Sequence, residues 1–221
     1  MEKIIEKLER EIIPLQSSVI QDDFIKNSEI AFDCIFNGIS KFYPWKKPTK
    51  IPENFKLGVI IGSSGSGKST MLKHFGIEEE PIWYENKSII SHFETPEDGI
   101  NKLSSVGFNS VPSWYKSYSV LSNGEKFRAN LARKIKSNAV IDEYTSVVDR
   151  TVAKSASIAL SRYIKNNDIN GVILSTCHFD IIEWLEPDWV LNLDTGELLS
   201  GFFLSDQESI SKFIVQNMIV G

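Results

Sequence analysis

Apolar residues recur along this chain in two rhythms. Near its start Ile5, Leu8, Ile12 and Leu15 stand at 3-4-3 spacing among Glu, Lys and Arg, which predicts a short amphipathic helix ended by Pro14. Between residues 30 and 61 the apolar pieces shorten to Ile30-Ala31-Phe32, Cys34-Ile35-Phe36 and Leu57 to Ile61, separated by turn formers, and predict strands. Thr95-Pro96-Glu97-Asp98 combines an N-cap residue, a proline for the first turn and two acids, so a helix should begin there and end near Gly107. A second helix is expected over residues 125–136. Val140-Ile141 and Val172-Ile173-Leu174 suit buried parallel strands, with a helical stretch from Ser155 to Tyr163 between them. That order predicts an α/β fold with a mainly parallel sheet.

Composition narrows the class. A length of 221 residues fits one domain, or one domain with an appendage, and 42% apolar with 24% charged residues is ordinary for a globular chain. The net charge of −5, from 24 Lys+Arg against 29 Asp+Glu, speaks against nucleic-acid binding through bulk electrostatics, so an anionic ligand needs a dedicated local site. No apolar run approaches the ~20 residues of a membrane span. The opening Met1-Glu2-Lys3-Ile4-Ile5-Glu6-Lys7 is charged where a signal peptide is apolar, and a cytoplasmic protein with no membrane contact is expected. Cys34 and Cys177 are too few and too isolated for a disulfide framework or a zinc cluster.

One tract differs in character. Lys41, Lys46, Lys47, Lys50 and Lys56 face a single acid, Glu53, and are interleaved with Phe42, Tyr43, Trp45 and Phe55. Such a segment, residues 41–56, can track a nucleic-acid strand by charge and stacking, or offer one ring to a nucleobase from an exposed loop.

The chemistry begins at Val59-Ile60-Ile61, which runs into Gly62-Ser63-Ser64-Gly65-Ser66-Gly67-Lys68-Ser69-Thr70. A strand followed by G-x-x-x-x-G-K-S/T is the phosphate-loop pattern. Its glycines let successive N–H groups point at phosphate oxygens, and the following helix adds the positive end of its dipole. Lys68 would reach the β- and γ-phosphates, and the Ser69 hydroxyl would ligate magnesium. A carboxylate for the metal and a second for the attacking water are available at the end of a strand: Asp142 and Glu143 in Ala139-Val140-Ile141-Asp142-Glu143.

Further pieces stand in a telling order. Leu121-Ser122-Asn123-Gly124-Glu125-Lys126 precedes Asp142, Ser146-Val147-Val148-Asp149 follows it, and Leu174-Ser175-Thr176-Cys177-His178 ends a strand in a histidine. Over roughly residues 40–195 the chain resembles the ATP-binding-cassette (ABC) ATPase superfamily. The resemblance implies a P-loop NTPase core with a compact helical subdomain near residues 85–135, binding ATP and Mg2+. It also implies a head-to-tail homodimer in which Ser122, Gly124 and Glu125 of one copy cap ATP held by the other. His178 matches the switch histidine at the γ-phosphate, and Asp149 matches the D-loop carboxylate linking the two sites. Tyr43 and Trp45 become the candidates for stacking on adenine. On this reading residues 1–29 are an N-terminal helical extension and residues 30–221 the ATPase domain.

The departures have meaning too. Asn123 replaces the usual glycine, Glu125-Lys126 is more like the SMC-type and recombination-repair ATPases, and no glutamine lies between Gln21 and Gln207 to serve as the Q-loop residue. His92, closing Ile89-Ile90-Ser91-His92-Phe93, is the nearest polar candidate for that place. The short interval from the phosphate loop to Ser122 counts against a transporter subunit. The stretches Tyr144 to Lys154 and Cys177 to Leu185 are similar to a group of soluble ABC-type ATPases, some fused to a predicted acetyltransferase domain. The expected activity is ATP hydrolysis driving or timing a conformational cycle. The alternative is a nucleotide-gated module with slow hydrolysis acting on a protein or nucleic-acid partner.

Overall fold

The computed structural model describes residues 3–200; the end of the expected 30–221 domain and Gln207 lie outside them. In chain order the elements are β1 (Lys3–Lys7), β2 (Leu15–Ser18), α1 (Asp23–Phe32), β3 (Ile39–Phe42), β4 (Leu57–Ile61) and α2 (Lys68–Leu72). Next come α3 (Pro96–Ser105), α4 (Val111–Trp114), α5 (Asn123–Lys134), β5 (Val140–Ile141) and α6 (Arg150–Asn166). The described chain closes with β6 (Val172–Thr176), α7 (Ile181–Leu185), β7 (Trp189–Asn192) and β8 (Glu197–Ser200).

Among the described residues, six strands form one sheet in the order β1-β8-β7-β4-β6-β5. The four from β7 to β5 run parallel, while β8 and β1 are added antiparallel at one edge. The fold is α/β, as the alternation of strands and helices predicts. Strands β4 and β6 are buried along their whole length, and alternate residues feed two cores. Leu57, Val59, Ile61, Val172 and Leu174 meet Leu103, Leu131 and Leu160 of α3, α5 and α6 on one face. Ile60, Ile173, Leu191 and Trp189 meet Met71 and Leu72 of α2 on the other. Gly58 makes that second core possible, because a Cβ there would stand 2.1 Å from the Trp189 indole.

The helix expected from Thr95 is α3, with the Thr95 hydroxyl accepting the Asp98 N–H at 3.1 Å. The helices expected at 125–136 and 155–163 are found as α5 and within α6. The N-terminal amphipathic helix is a correction. Residues 3–7 are instead an edge strand on β8, and of its four stripe residues only Leu8 is buried, while Ile12 and Leu15 are exposed. An open backbone edge outcompetes a short helix, since every edge N–H and C=O gains a partner. Ile30-Ala31-Phe32 belongs to α1, Cys34-Ile35-Phe36 has no regular structure, and Ile89 to Phe93 contains a 3-10 turn at Ile90–His92.

Candidate functional site

Strand β4 delivers Gly62, the chain turns through residues 63–67, and α2 begins at Lys68. Gly67 has φ 98°, and the Phe42 ring stands 2.6 Å from where its Cβ would be, so glycine is needed for both backbone and space. The Lys68 ammonium donates to the carbonyl oxygens of Gly62 and Ser63, each at 2.8 Å. The Ser63 N–H donates to the Asp194 carboxylate at 3.0 Å and the Ser63 hydroxyl does so at 2.8 Å.

Sequence reasoning did not single out Asp194. Its place follows from strand register: Ile61 pairs with Asn192, so two residues further on Ser63 and Asp194 lie side by side.

Two features of the loop suit a phosphate. Ser66 Oγ is buried without a hydrogen-bond partner, and a Cβ on Gly65 would meet nothing within 4 Å. The loop lines a cleft of about 290 Å3 together with Phe42 and Glu143. Ser69 and Asp142 line an adjoining cavity of about 500 Å3. Among the described residues no group of three or more His, Cys, Asp or Glu side chains could hold a metal alone. One hydroxyl and one carboxylate nevertheless fit Mg2+, which keeps waters and substrate phosphates as its other ligands.

The turn after β5 is braced by β6. The Ser175 hydroxyl donates to Asp142 Oδ1, and the Glu143 N–H reaches Asp142 Oδ1 at 2.9 Å and Ser175 Oγ at 3.2 Å. The Tyr144 N–H donates to Ser175 O at 2.7 Å, and the Thr176 hydroxyl donates to Tyr144 O at 2.9 Å. Within this frame Glu143 and Thr145 have φ 48° and 69°, a region that costs a side-chain-bearing residue energy. Glu143 is exposed toward the phosphate-loop cleft. His178 is half-buried with Nδ1 3.1 Å from Thr145 Oγ1. Burial pushes its pKa below the ordinary value, aided by the charges of Arg150 and Lys68 and opposed by Asp180.

Ser122 caps α5 in a capping box with Glu125. The Ser122 N–H and hydroxyl donate to Glu125 Oε2 at 2.9 and 2.8 Å, and Ser122 Oγ accepts the Glu125 N–H at 3.4 Å. The Ser113 hydroxyl, then the Ser122 N–H and hydroxyl, hold the Glu125 carboxyl down to about 2. Asp149 caps α6, its Oδ1 accepting from the N–H groups of Thr151 and Val152 at 2.9 and 3.0 Å. Gly124 lies against Val152, 3.5 Å from where its Cβ would stand, so the two helix starts adjoin. None of Ser122, Gly124, Glu125 and Asp149 lines the phosphate-loop cleft of the same chain.

No family model matches the sequence, and no curated protein matches it significantly. Solved structures do match. The ATP-binding cassette MJ0796, as a dimer in a post-hydrolysis state bound to ADP and Pi, aligns with TM-score 0.54 and 15% identity, covering 89% of this chain and 95% of that one. A dimeric structure of MJ0796 as a bacterial ABC transporter cassette gives TM-score 0.51 and 14% identity over 69% of this chain and 87% of that one. The fold is that of an ATP-binding cassette.

In this chain the aromatic against the phosphate loop is Phe42, which sequence reasoning passed over in favour of its neighbours. Trp45 is engaged elsewhere: its indole N–H donates to Leu193 O at 2.7 Å, and Arg10 lies 4.0 Å over its ring. Tyr43 is exposed, with its carbonyl accepting from Arg10 at 2.7 Å. His92 has both ring nitrogens engaged, Nε2 accepting the Tyr84 N–H at 2.9 Å and Nδ1 at 2.8 Å from Ser88 O. It therefore braces the 83–92 turn, and a ligand would have to displace those bonds.

The lysine tract is partly committed as well. Lys46 pairs with Glu9 at 2.8 Å, Lys56 donates to Lys165 O at 2.8 Å, and Lys47 lies 5.3 Å over Phe75. Among the described residues no helix is long and apolar enough to cross a membrane.

Proposed function

We propose that this chain is an ABC-type ATPase that binds Mg-ATP and works as a head-to-tail homodimer. In each pair, residues 62–70 of one copy and Ser122 to Glu125 of the other would enclose a nucleotide. The observation that carries the reading is the placement of Glu143 in one cleft with Lys68 and Ser69, the arrangement that hydrolysis of a phosphoanhydride needs. The separation of Ser122 and Asp149 from that cleft supports a site completed by a second copy.

Each residue has a role on this reading. Lys68 exchanges its two carbonyl partners for the β- and γ-phosphates, a stronger charge-assisted contact. Ser69 and Asp142 would hold Mg2+, which supplies charge neutralisation at the phosphates when bound. Glu143 polarises the attacking water and accepts its proton. His178, whose pKa burial pulls below the ordinary value, donates to the γ-phosphate. Phe42, which lines the phosphate-loop cleft, is the ring best suited to meet the base, while Tyr43 is exposed and Trp45 is held by its packing. The site works by positioning and electrostatics.

The short interval before Ser122 and the stretches Tyr144 to Lys154 and Cys177 to Leu185 favour a soluble, cytoplasmic, non-transporter member similar to the acetyltransferase-associated group. Asn123 and the missing glutamine motivate a second reading, a nucleotide-gated module with slow hydrolysis. The engagement of both His92 nitrogens supports it, since the one candidate for the glutamine's place already has partners. The partly committed lysines make a protein partner a better fit than nucleic acid through residues 41–56.

Glu143→Gln tests the main reading. Turnover should fall by about 10²–10⁴-fold while ATP traps a dimer measurable by light scattering. Unchanged hydrolysis would overturn the assignment. Brisk turnover of the wild-type protein without any partner would eliminate the second reading.

A further inference from the structure

Thr145 is fully buried and β-branched, yet its backbone has φ 69°. Branched residues rarely occupy that region, where glycine or asparagine would be relaxed. An outlier of this kind points to a use for its side chain. The conformation is enforced from both sides: the Tyr144 N–H donates to Ser175 O at 2.7 Å, and the Ser146 N–H donates to Glu143 O at 3.0 Å.

The side chain held in this way has one hydrogen-bond partner among the described residues, His178 Nδ1 at 3.1 Å. His178 is fixed from its backbone too, because its N–H donates to Thr176 Oγ1 at 3.1 Å while the Thr176 hydroxyl donates to Tyr144 O at 2.9 Å. Two threonines thus tie the turn after β5 to the turn after β6.

The direction of the Thr145 bond follows from counting protons. A neutral imidazole carries one N–H, and a hydroxyl carries one hydrogen. If Nδ1 carried the ring proton, Thr145 Oγ1 would accept it and its own hydrogen would be left without an acceptor in a buried site, which is costly. If the hydroxyl donates to Nδ1, the buried hydroxyl hydrogen has its acceptor and the ring N–H stands on Nε2.

We propose that Thr145 is a positioning residue that holds His178 as its Nε2–H tautomer, aimed as a hydrogen-bond donor at the γ-phosphate of a bound nucleoside triphosphate. The phosphate end of this inference rests on the function proposed above; the tautomer end rests on the geometry alone. The same bond leaves Nε2 unable to accept a proton, so His178 acts as a donor and Glu143 stands as the acceptor from water.

The test is long-range 1H–15N correlation on the 15N-labelled full chain, with His178→Gln used to assign its ring among His74, His92 and His178. The wild-type protein should show His178 as Nε2–H. Thr145→Val, which keeps shape and removes the hydroxyl, should lose that preference and lower kcat by roughly tenfold with little change in KM. Thr145→Ser should restore both. An Nδ1–H tautomer in the wild-type protein would overturn the proposal whether or not any variant folds, as would an unchanged tautomer in Thr145→Val. If the tautomer responds as expected but the wild-type protein hydrolyses no nucleotide, the positioning role stands and the proposed function fails.

Discussion

Two turns of this molecule start helices, and they treat their polar groups differently. At residues 62–70 one acceptor comes from elsewhere in the chain, Asp194 taking the Ser63 N–H, while Lys68 turns back onto the loop's own carbonyls of Gly62 and Ser63. At Ser122 the acceptor is local, because Glu125 takes both the N–H and the hydroxyl of Ser122 in a closed box. The first turn rests on tertiary register and can exchange partners without unravelling its helix. The second is part of the helix it starts, so engaging a phosphate there competes with a cap worth about 1 kcal/mol. The difference predicts that one turn binds nucleotide alone and the other acts only in the assembled pair.

The largest test of this asymmetry is Lys68→Ala. Isothermal titration should show ATP affinity of the isolated chain reduced by about 10²-fold or more, the loss of a charge-assisted contact to phosphate. Ser122→Ala should leave that affinity within about twofold, lower dimer-dependent turnover by about tenfold or more, and reduce unfolding free energy by about 1 kcal/mol. Equal losses of monomer affinity in the two variants would break the comparison.

What the sequence revealed follows the same division between local and distant. The phosphate loop, the Thr95 cap and the β-branched strands β5 and β6 are legible because the residues that decide them are neighbours in the chain. Asp194 beside Ser63 was not, since that contact depends on β7 pairing with β4 in one particular register. Nor was Phe42, whose contact with Gly67 is made across 25 residues of sequence. The N-terminal helix failed for a related reason: Ile5, Leu8, Ile12 and Leu15 have helical spacing, but the edge of β8 offered residues 3–7 a better use of their backbone. His92 could be named only as the nearest polar candidate for the missing glutamine's place, and its two partners at Tyr84 and Ser88 were not legible.

A smaller effect is expected at the tertiary acceptor of the first turn. On the proposed function the Asp194 carboxylate lies against a loop that would take up a polyanion, so its charge would oppose binding. Asp194→Asn keeps an acceptor for the Ser63 N–H and removes that charge, and ATP should bind about threefold tighter at low salt. The gain should shrink as ionic strength rises, since partly exposed charges are screened. Weaker binding at every salt concentration would mean that Asp194 holds the loop in shape more than it repels phosphate.

The smallest effect separates charge from geometry at the second turn. Glu125→Gln keeps the capping box, since glutamine also accepts from Ser122, but removes the carboxylate whose pKa is held down to about 2 from an ordinary 4.5. A carboxyl group depressed on folding contributes its stability fully above the unfolded value and loses it as pH falls toward the folded value. The wild-type protein should therefore be more stable than Glu125→Gln above about pH 4.5, with the gap closing between about pH 4.5 and 2. Solvent screening at this partly exposed site keeps the gap to about 0.5 kcal/mol. Denaturant melts of both proteins at stepped pH would measure it. A gap that persisted to the acid end of that window would place the contribution of Glu125 in its shape and packing, and would make the cap at Ser122 as insensitive to charge as a neutral one.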